Sequence, residues 1–300
     1  MTTPKKSKDY ILARNEYILA GILWGIIGMM LKHVTIPSEY VVVCRGMIGA
    51  IFIALYIKFR GSTIDVKSIR ANWLFLLISG IGLGLNWVFL FASYRYTSVA
   101  IGTLCNYVGP ILVILLSPFL YKERLTLVKI VCVVMAALGI IFISGVLEGT
   151  ATNTSLLGII FGLLSACLFV VNVVFTRKVN NVNVYDKAVA QLIASVVASL
   201  PYAVIVNRGV VLQVNITTVV LVVILGIVHT GVAYCFYFRA MGTLPVQTFS
   251  IFGYIEPVVA IFVSAIFLKE SLTFFGILGA IMILGAVVLS EIAPGTRISN

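Results

Sequence analysis

The chain has 300 residues, 61% of them hydrophobic and only 10% charged, with a net charge of +11 and a mean hydropathy of +1.14. A water-soluble domain cannot carry that composition, so lipid must cover most of the surface and an all-α integral membrane protein is expected. The Lys and Arg residues fall in short clusters between apolar runs, unlike the basic stripe of a nucleic-acid binder; attraction to anionic headgroups accounts for them, and no nucleic-acid partner is expected.

Taken in order, the polar arm 1–16 leads into a full-length apolar run followed by many others, which is unlike a cleaved signal peptide. At about 20 apolar residues per crossing, ten spans fall near 17–36, 39–57, 73–94, 98–120, 127–147, 156–176, 185–206, 217–238, 246–268 and 273–291. With the N-terminus inside, sixteen Lys and Arg residues lie on the cytoplasmic side and only Lys32, Arg95, Arg208 and Lys269 outside, with Arg45 inside a span. That bias predicts both termini in the cytoplasm.

The chain repeats itself. Tyr107-Val-Gly-Pro110 laid over Tyr254-Ile-Glu-Pro257 at an offset of 147 also superposes Ile114 on Ile261, Ser117 on Ser264, and Lys122-Glu123-x-Leu125-Thr126 on Lys269-Glu270-x-Leu272-Thr273. Such order and spacing indicate an internal duplication. The copies cover 17–147 and 156–291, joined by a polar linker at 148–155 and followed by a tail at 292–300. Gly21-x-x-x-Gly25 and Gly158-x-x-x-Gly162 are a weaker echo. Five spans per copy, an odd number, predict two inverted five-helix repeats with a site near the midplane.

Polar residues at membrane depth mark candidates for that site. Span three carries Ser79, Gly82, Asn86, Phe89 and Ser93 at helical spacing, and span six carries Ser165, Phe169, Asn172 and Thr176. Each stripe reads either as a cavity wall or as interhelical hydrogen bonding. Trp24, Trp87, Tyr107, Tyr234 and Tyr254 could add flat apolar surfaces with a polar edge, and Gly21, Gly25 and Gly28 read as close-packing positions. Pro110 and Pro257, about mid-helix in spans four and nine, remove backbone donors at matching places in the two copies, which points to the site.

Three ionisable residues lie within spans. Arg45, about six residues from the outer end of span two, could snorkel outward and is assigned a structural or gating role. His229, near the centre of span eight, reads as a neutral hydrogen-bonded imidazole or a proton handler. Glu256 has no route to the surface, so it must be paired, hydrated or protonated, with His229 or a cationic substrate as a partner. Cys44, Cys105, Cys132, Cys167 and Cys235 all lie in apolar runs without CxxC spacing or a His cluster, so neither disulfide, metal nor cofactor is indicated. No HExxH, GxSxG or paired-Asp motif suggests an intramembrane enzyme.

Trp24-Gly25 followed by Lys32, Arg45 in the second span, Tyr107-x-x-Pro110 and Ile255-Glu256-Pro257-Val258, the last two each followed by Lys-Glu-x-Leu-Thr, resemble the EamA branch of the drug/metabolite transporter superfamily. The resemblance covers about residues 17–291; one departure is Gln191 near where the first copy has Arg45. It implies a secondary transporter of the bacterial inner membrane, commonly an exporter of amino acids or related metabolites, with a central cavity between the halves. The expected substrate-binding residues are Trp24, Asn86, Trp87, Tyr107, Asn172, His229, Tyr234, Tyr254 and Glu256, on spans one, three, four, six, eight and nine. The alternatives are an organic-cation transporter with Glu256 as counter-charge, or a scaffold that transports nothing. Protons are a candidate coupling ion, and a monomer is compatible with the sequence.

Overall fold

The computed structural model describes residues 4–121, 126–144, 146–149, 152–244, 252–270 and 272–292; the first Lys-Glu pair, Lys122-Glu123, lies outside them. Among the described residues every regular element is helical. In chain order they are α1 (Pro4–Gly25), α2 (Ile27–Leu31), α3 (Ser38–Phe59), the short α4 (Val66–Ala71), α5 (Trp73–Tyr96), α6 (Val99–Asn106), α7 (Gly109–Tyr121), α8 (Leu127–Ile143), α9 (Asn153–Arg177) and α10 (Val184–Val206). There follow α11 (Ile216–Ile224), a π-helical stretch Leu225–Val232, α12 (Ala233–Thr243), α13 (Ile255–Phe267) and α14 (Phe274–Ile292).

Among these residues six helical stretches are long and apolar enough to cross a membrane, and four more, at Val99–Val113, Ile130–Ile143, Ile255–Phe267 and Phe274–Leu289, are apolar but shorter. Each sits where an apolar run was read from the sequence. One boundary differs: α1 already starts at Pro4 rather than after the polar arm. The reason is a packing face inside that arm, because Ala13, Tyr17 and Ala20 are buried against α12 and Glu16 accepts a 3.0 Å charged hydrogen bond from Arg239. Helix starts are capped by side chains from the polar connections: Ser98 on Ile101 N, Asn215 on Thr218 N, and a reciprocal Thr152–Ser155 box.

The packing repeats with the sequence. Exchanging the halves carries α1 on α12 into α9 on α5, α3 on the π stretch into α10 on α5, and α1 on α13 into α9 on α6 and α7; α3 on α10 and α8 on α14 map onto themselves. The glycine echo obeys the same exchange. A Cβ at Gly25 would lie 2.6 Å from the Val259 Cβ on α13, and one at Gly162 the same distance from the Cys105 Cβ on α6. Glycine is needed at both because it lets the backbones close up.

Large apolar side chains point outward from α8 (Val134, Leu138), α10 (Val197, Val204) and α13 (Phe262, Ile266). Such a surface is stable against hydrocarbon and not against water. The buried core runs between α3, α5 and α10, with α2 and the π stretch on its flanks.

Candidate functional site

Two helix breaks shape the centre of the bundle. Span four stops at Asn106 and restarts at Gly109, and α13 restarts after Tyr254, so Pro110 and Pro257 sit in the first turn of a new helix and not in mid-helix as expected. There a missing amide leaves no intrahelical bond unmade. The carbonyl four residues before Pro257 belongs to Gly253, and it accepts a hydrogen bond from the Tyr107 hydroxyl at 3.2 Å. The same hydroxyl lies 3.0 Å from Glu256 Oε2. A tyrosine of the first copy therefore holds the acid of the second. Glu256 is also the second residue of α13, in the first turn, where the helix dipole favours negative charge.

A cavity of about 430 Å³ lies between the halves, within the size range of small-molecule sites. Of the residues expected there, Trp24, Asn86, Trp87, Tyr107, Asn172, Tyr234, Tyr254 and Glu256 line it, with Pro110. Tyr254 reaches it because the turn before α13 releases it from the helical phase of Glu256. Trp24 makes edge contact with Tyr234 at 5.5 Å and Trp87 does so at 6.3 Å. The result is an aromatic box in which the Trp24 indole N–H donates to the His229 carbonyl at 2.8 Å.

Pro257 and His229 are not among the lining residues. His229 is 2% exposed and sits in the π stretch, where its Nδ1 lies 3.3 Å from the Ile224 carbonyl. It is not the partner of Glu256. The wider π turn brings residue i onto the carbonyl of i−5, and Thr230 Oγ1 bonds Leu225 O in the same way at 2.9 Å.

Arg45 corrects one expectation, that of an outward-reaching side chain. Instead of snorkelling out it is 2% exposed and lines the cavity. Its Nε donates to Thr230 Oγ1 at 3.0 Å, and its guanidinium lies over Trp87 at 4.3 Å and Phe91 at 5.5 Å. Two aromatic faces on α5 supply an electrostatic surface that outward extension would forfeit. Gln191 of α10 plays the matching part, donating to Ser79 Oγ at 2.9 Å and Thr176 Oγ1 at 2.6 Å. These two helices, spans two and seven, thus also wall the cavity, beyond the six that were expected.

The polar stripe on α5 divides. Asn86 reaches the cavity edge with its amide nitrogen already donating to Ser165 O at 2.7 Å and Asn106 Oδ1 at 2.8 Å; Asn172 likewise donates to Ser79 O at 2.9 Å. Both are interhelical ties as well as wall residues. Ser79 and Ser93 are fully buried and bond back to Leu76 O and Leu90 O within α5, and a Cβ at Gly82 would lie 2.9 Å from the Asn172 amide nitrogen on α9. These are packing positions. The cavity face is carried by Leu83, Trp87, Leu90, Phe91 and Tyr94, about one residue further round the helix. Asn106, Gln191 and Tyr237 were missed; for Asn106 the adjacent Tyr107-x-x-Pro110 motif was the available signal.

Away from the cavity, Glu270 of the second Lys-Glu pair joins three elements. It forms a 3.0 Å ion pair with Lys32, accepts from Val99 N at the start of α6 at 2.9 Å, and accepts from Ser264 Oγ at 2.6 Å. Lys32 also donates to Tyr94 O at 3.0 Å.

Comparison with known proteins agrees with this architecture. The profile of the EamA-like transporter family matches residues 11–145 and again 156–291. The chain is 28% identical over 286 residues to the uncharacterized transporter YxxF of Bacillus subtilis, covering 95% of this chain and 91% of that protein. Over 180 residues it is 29% identical to an uncharacterized transporter of Pasteurella multocida, covering 59% and 57% of the two chains. A crystal structure described only as that of a protein shares the fold, with a TM-score of 0.64 at 22% identity over 92% of this chain and 96% of that one. With both halves matched in tandem, the chain is a multi-pass membrane protein that belongs to the EamA-like transporter family.

Proposed function

We propose that the protein is a secondary transporter of small amphipathic metabolites, foremost an exporter of amino acids or related compounds, working by alternating exposure of the central cavity. In this reading all ten apolar helices cross a bacterial inner membrane, the two repeats are inverted, and both termini are cytoplasmic. The observation that carries it is that both repeats contribute walls to one cavity holding a carboxylate and a guanidinium. A scaffold has no need of a buried guanidinium and a half-buried carboxyl at the centre of its bundle, whereas inverted repeats with broken helices meeting at a shared site are the plan of many carriers.

The test is a thermal-shift screen of the purified protein against metabolite classes, followed by flux of the hits in proteoliposomes. Flux above that of empty liposomes, lost in Glu256→Gln, is expected. If Glu256 exchanges a proton in each cycle, the variant loses concentrative transport driven by a pH gradient but keeps exchange of neutral substrate. Wild-type flux no faster than that of empty liposomes for every hit would overturn the reading.

A further inference from the structure

The Arg45 guanidinium is buried and faces the cavity, which Glu256 lines as well. Its Nε is used by Thr230 Oγ1, whose own hydroxyl proton goes to Leu225 O, so the threonine can only accept from the arginine. Trp87 and Phe91 cover the guanidinium. Among the described residues no carboxylate lies within ion-pair distance of it, and its Nη1 and Nη2 groups make no hydrogen bond. A buried cation in this position is strongly unfavourable unless an anion arrives to meet it. Glu256 presents the complementary situation: the neutral Tyr107 hydroxyl holds it, and among the described residues no cationic side chain lies within ion-pair distance.

We propose that Arg45 is the anion-binding residue of the cavity and the group that sets its selectivity for the amphipathic amino-acid cargo proposed above. The cargo's carboxylate docks end-on against Arg45 Nη1 and Nη2, its ammonium against Glu256, and its side chain against Trp24, Trp87 and Tyr234. The assignment rests on the transporter reading and narrows it. With Nε held by Thr230, the remaining fork is the two-donor geometry that a carboxylate accepts and an amide or ester does not match. The aromatic faces suit an apolar body. A simple organic cation would satisfy Glu256 and leave Arg45 facing a like charge, which argues against that class.

The experiment uses four probes on the full-length purified protein: L-phenylalanine, L-phenylalaninamide without the carboxylate, 3-phenylpropionate without the ammonium, and L-leucine. Binding is read by calorimetry, and folding is checked by thermal melting. In the wild type phenylalanine and leucine should bind at least tenfold more tightly than either truncated probe. Arg45→Gln should weaken phenylalanine about tenfold or more and leave phenylalaninamide unchanged, and Glu256→Gln should spare 3-phenylpropionate. If Arg45→Gln does not fold, Thr230→Val, which frees Nε but keeps the charge, should still shift the ratio of phenylalanine to phenylalaninamide affinity. An unchanged ratio in the folded variant overturns the assignment, as does the absence of binding by both amino acids to the wild type. The transporter reading would survive either result if a metabolite outside this class is carried in liposomes.

Discussion

Asn86 shows how one side chain serves structure and site together. Replacing it by leucine removes the side-chain donor to the Ser165 carbonyl and leaves Asn106 Oδ1 with Ser165 Oγ alone, which should destabilise the protein by roughly 1–3 kcal/mol as well as remove a polar edge from the cavity. Thermal melting against flux separates the two losses; an undiminished melting temperature would mean that water takes over both acceptors. Tyr107→Phe removes the hydroxyl that serves both Gly253 O and Glu256 Oε2. It should lower stability by about 1–3 kcal/mol and alter the pH dependence of flux more than that of the melt, and matching changes in both would assign Tyr107 a purely structural role. Glu256 was legible as a group needing a partner, yet Tyr107 could not be named as that partner. Helical spacing says nothing about a contact across 149 positions, although the motif itself placed a tyrosine at the matching break of each copy. Arg45 was misread for a related reason: counting residues gives the depth of a side chain but not whether it turns inward, and that was decided by Trp87 and Phe91 on another helix.

At the scale of elements, hydropathy located the six long and four shorter apolar helices of the described residues, because a run long enough to approach the bilayer thickness leaves little else to be. The breaks before Pro110 and Pro257 were legible too, though not the fact that each proline opens a new helix. The π stretch left no trace, since an extra residue in a turn depends on how Thr230 and His229 reach back five positions. Close packing makes the strongest prediction here. Gly25→Leu would drive a side chain into Val259 and the Glu256 carbonyl, 2.6 and 2.8 Å from where its Cβ would stand. Prising α1 from α13 should cost about 1–3 kcal/mol and lower flux, whereas Gly61→Ala, in open space at φ +71°, should act only through its turn. Equal melting temperatures for wild type and Gly25→Leu would show that the contact yields freely. Glu270→Ala should release the start of α6, read as faster hydrogen exchange over residues 99–106 with α12 unchanged.

For the whole molecule, the inverted arrangement is tested by labelling single cysteines placed near Arg60 and near Glu148 in sealed vesicles. One should react from the cytoplasmic side and the other from the opposite side; both reacting from one side would reject five crossings per copy. The frame that such an experiment would establish is symmetric, but its charges are not. Arg45 of α3 answers to Gln191 of α10, and Glu256 of α13 answers by the repeat offset to Gly109 of α7. Were the halves chemically identical, turning the carrier inside out would regenerate the same molecule, and the two facing states would be degenerate by construction. With Arg45 and Glu256 each present in one half only, that degeneracy is lifted, and a gap of about 1.4 kcal/mol already rests the idle carrier ten to one on one face. Such a bias cannot choose the direction of net movement, which gradients alone decide. What it sets is a different half-saturation on each side of the membrane, so the protein would sense its cargo more keenly from one compartment than from the other.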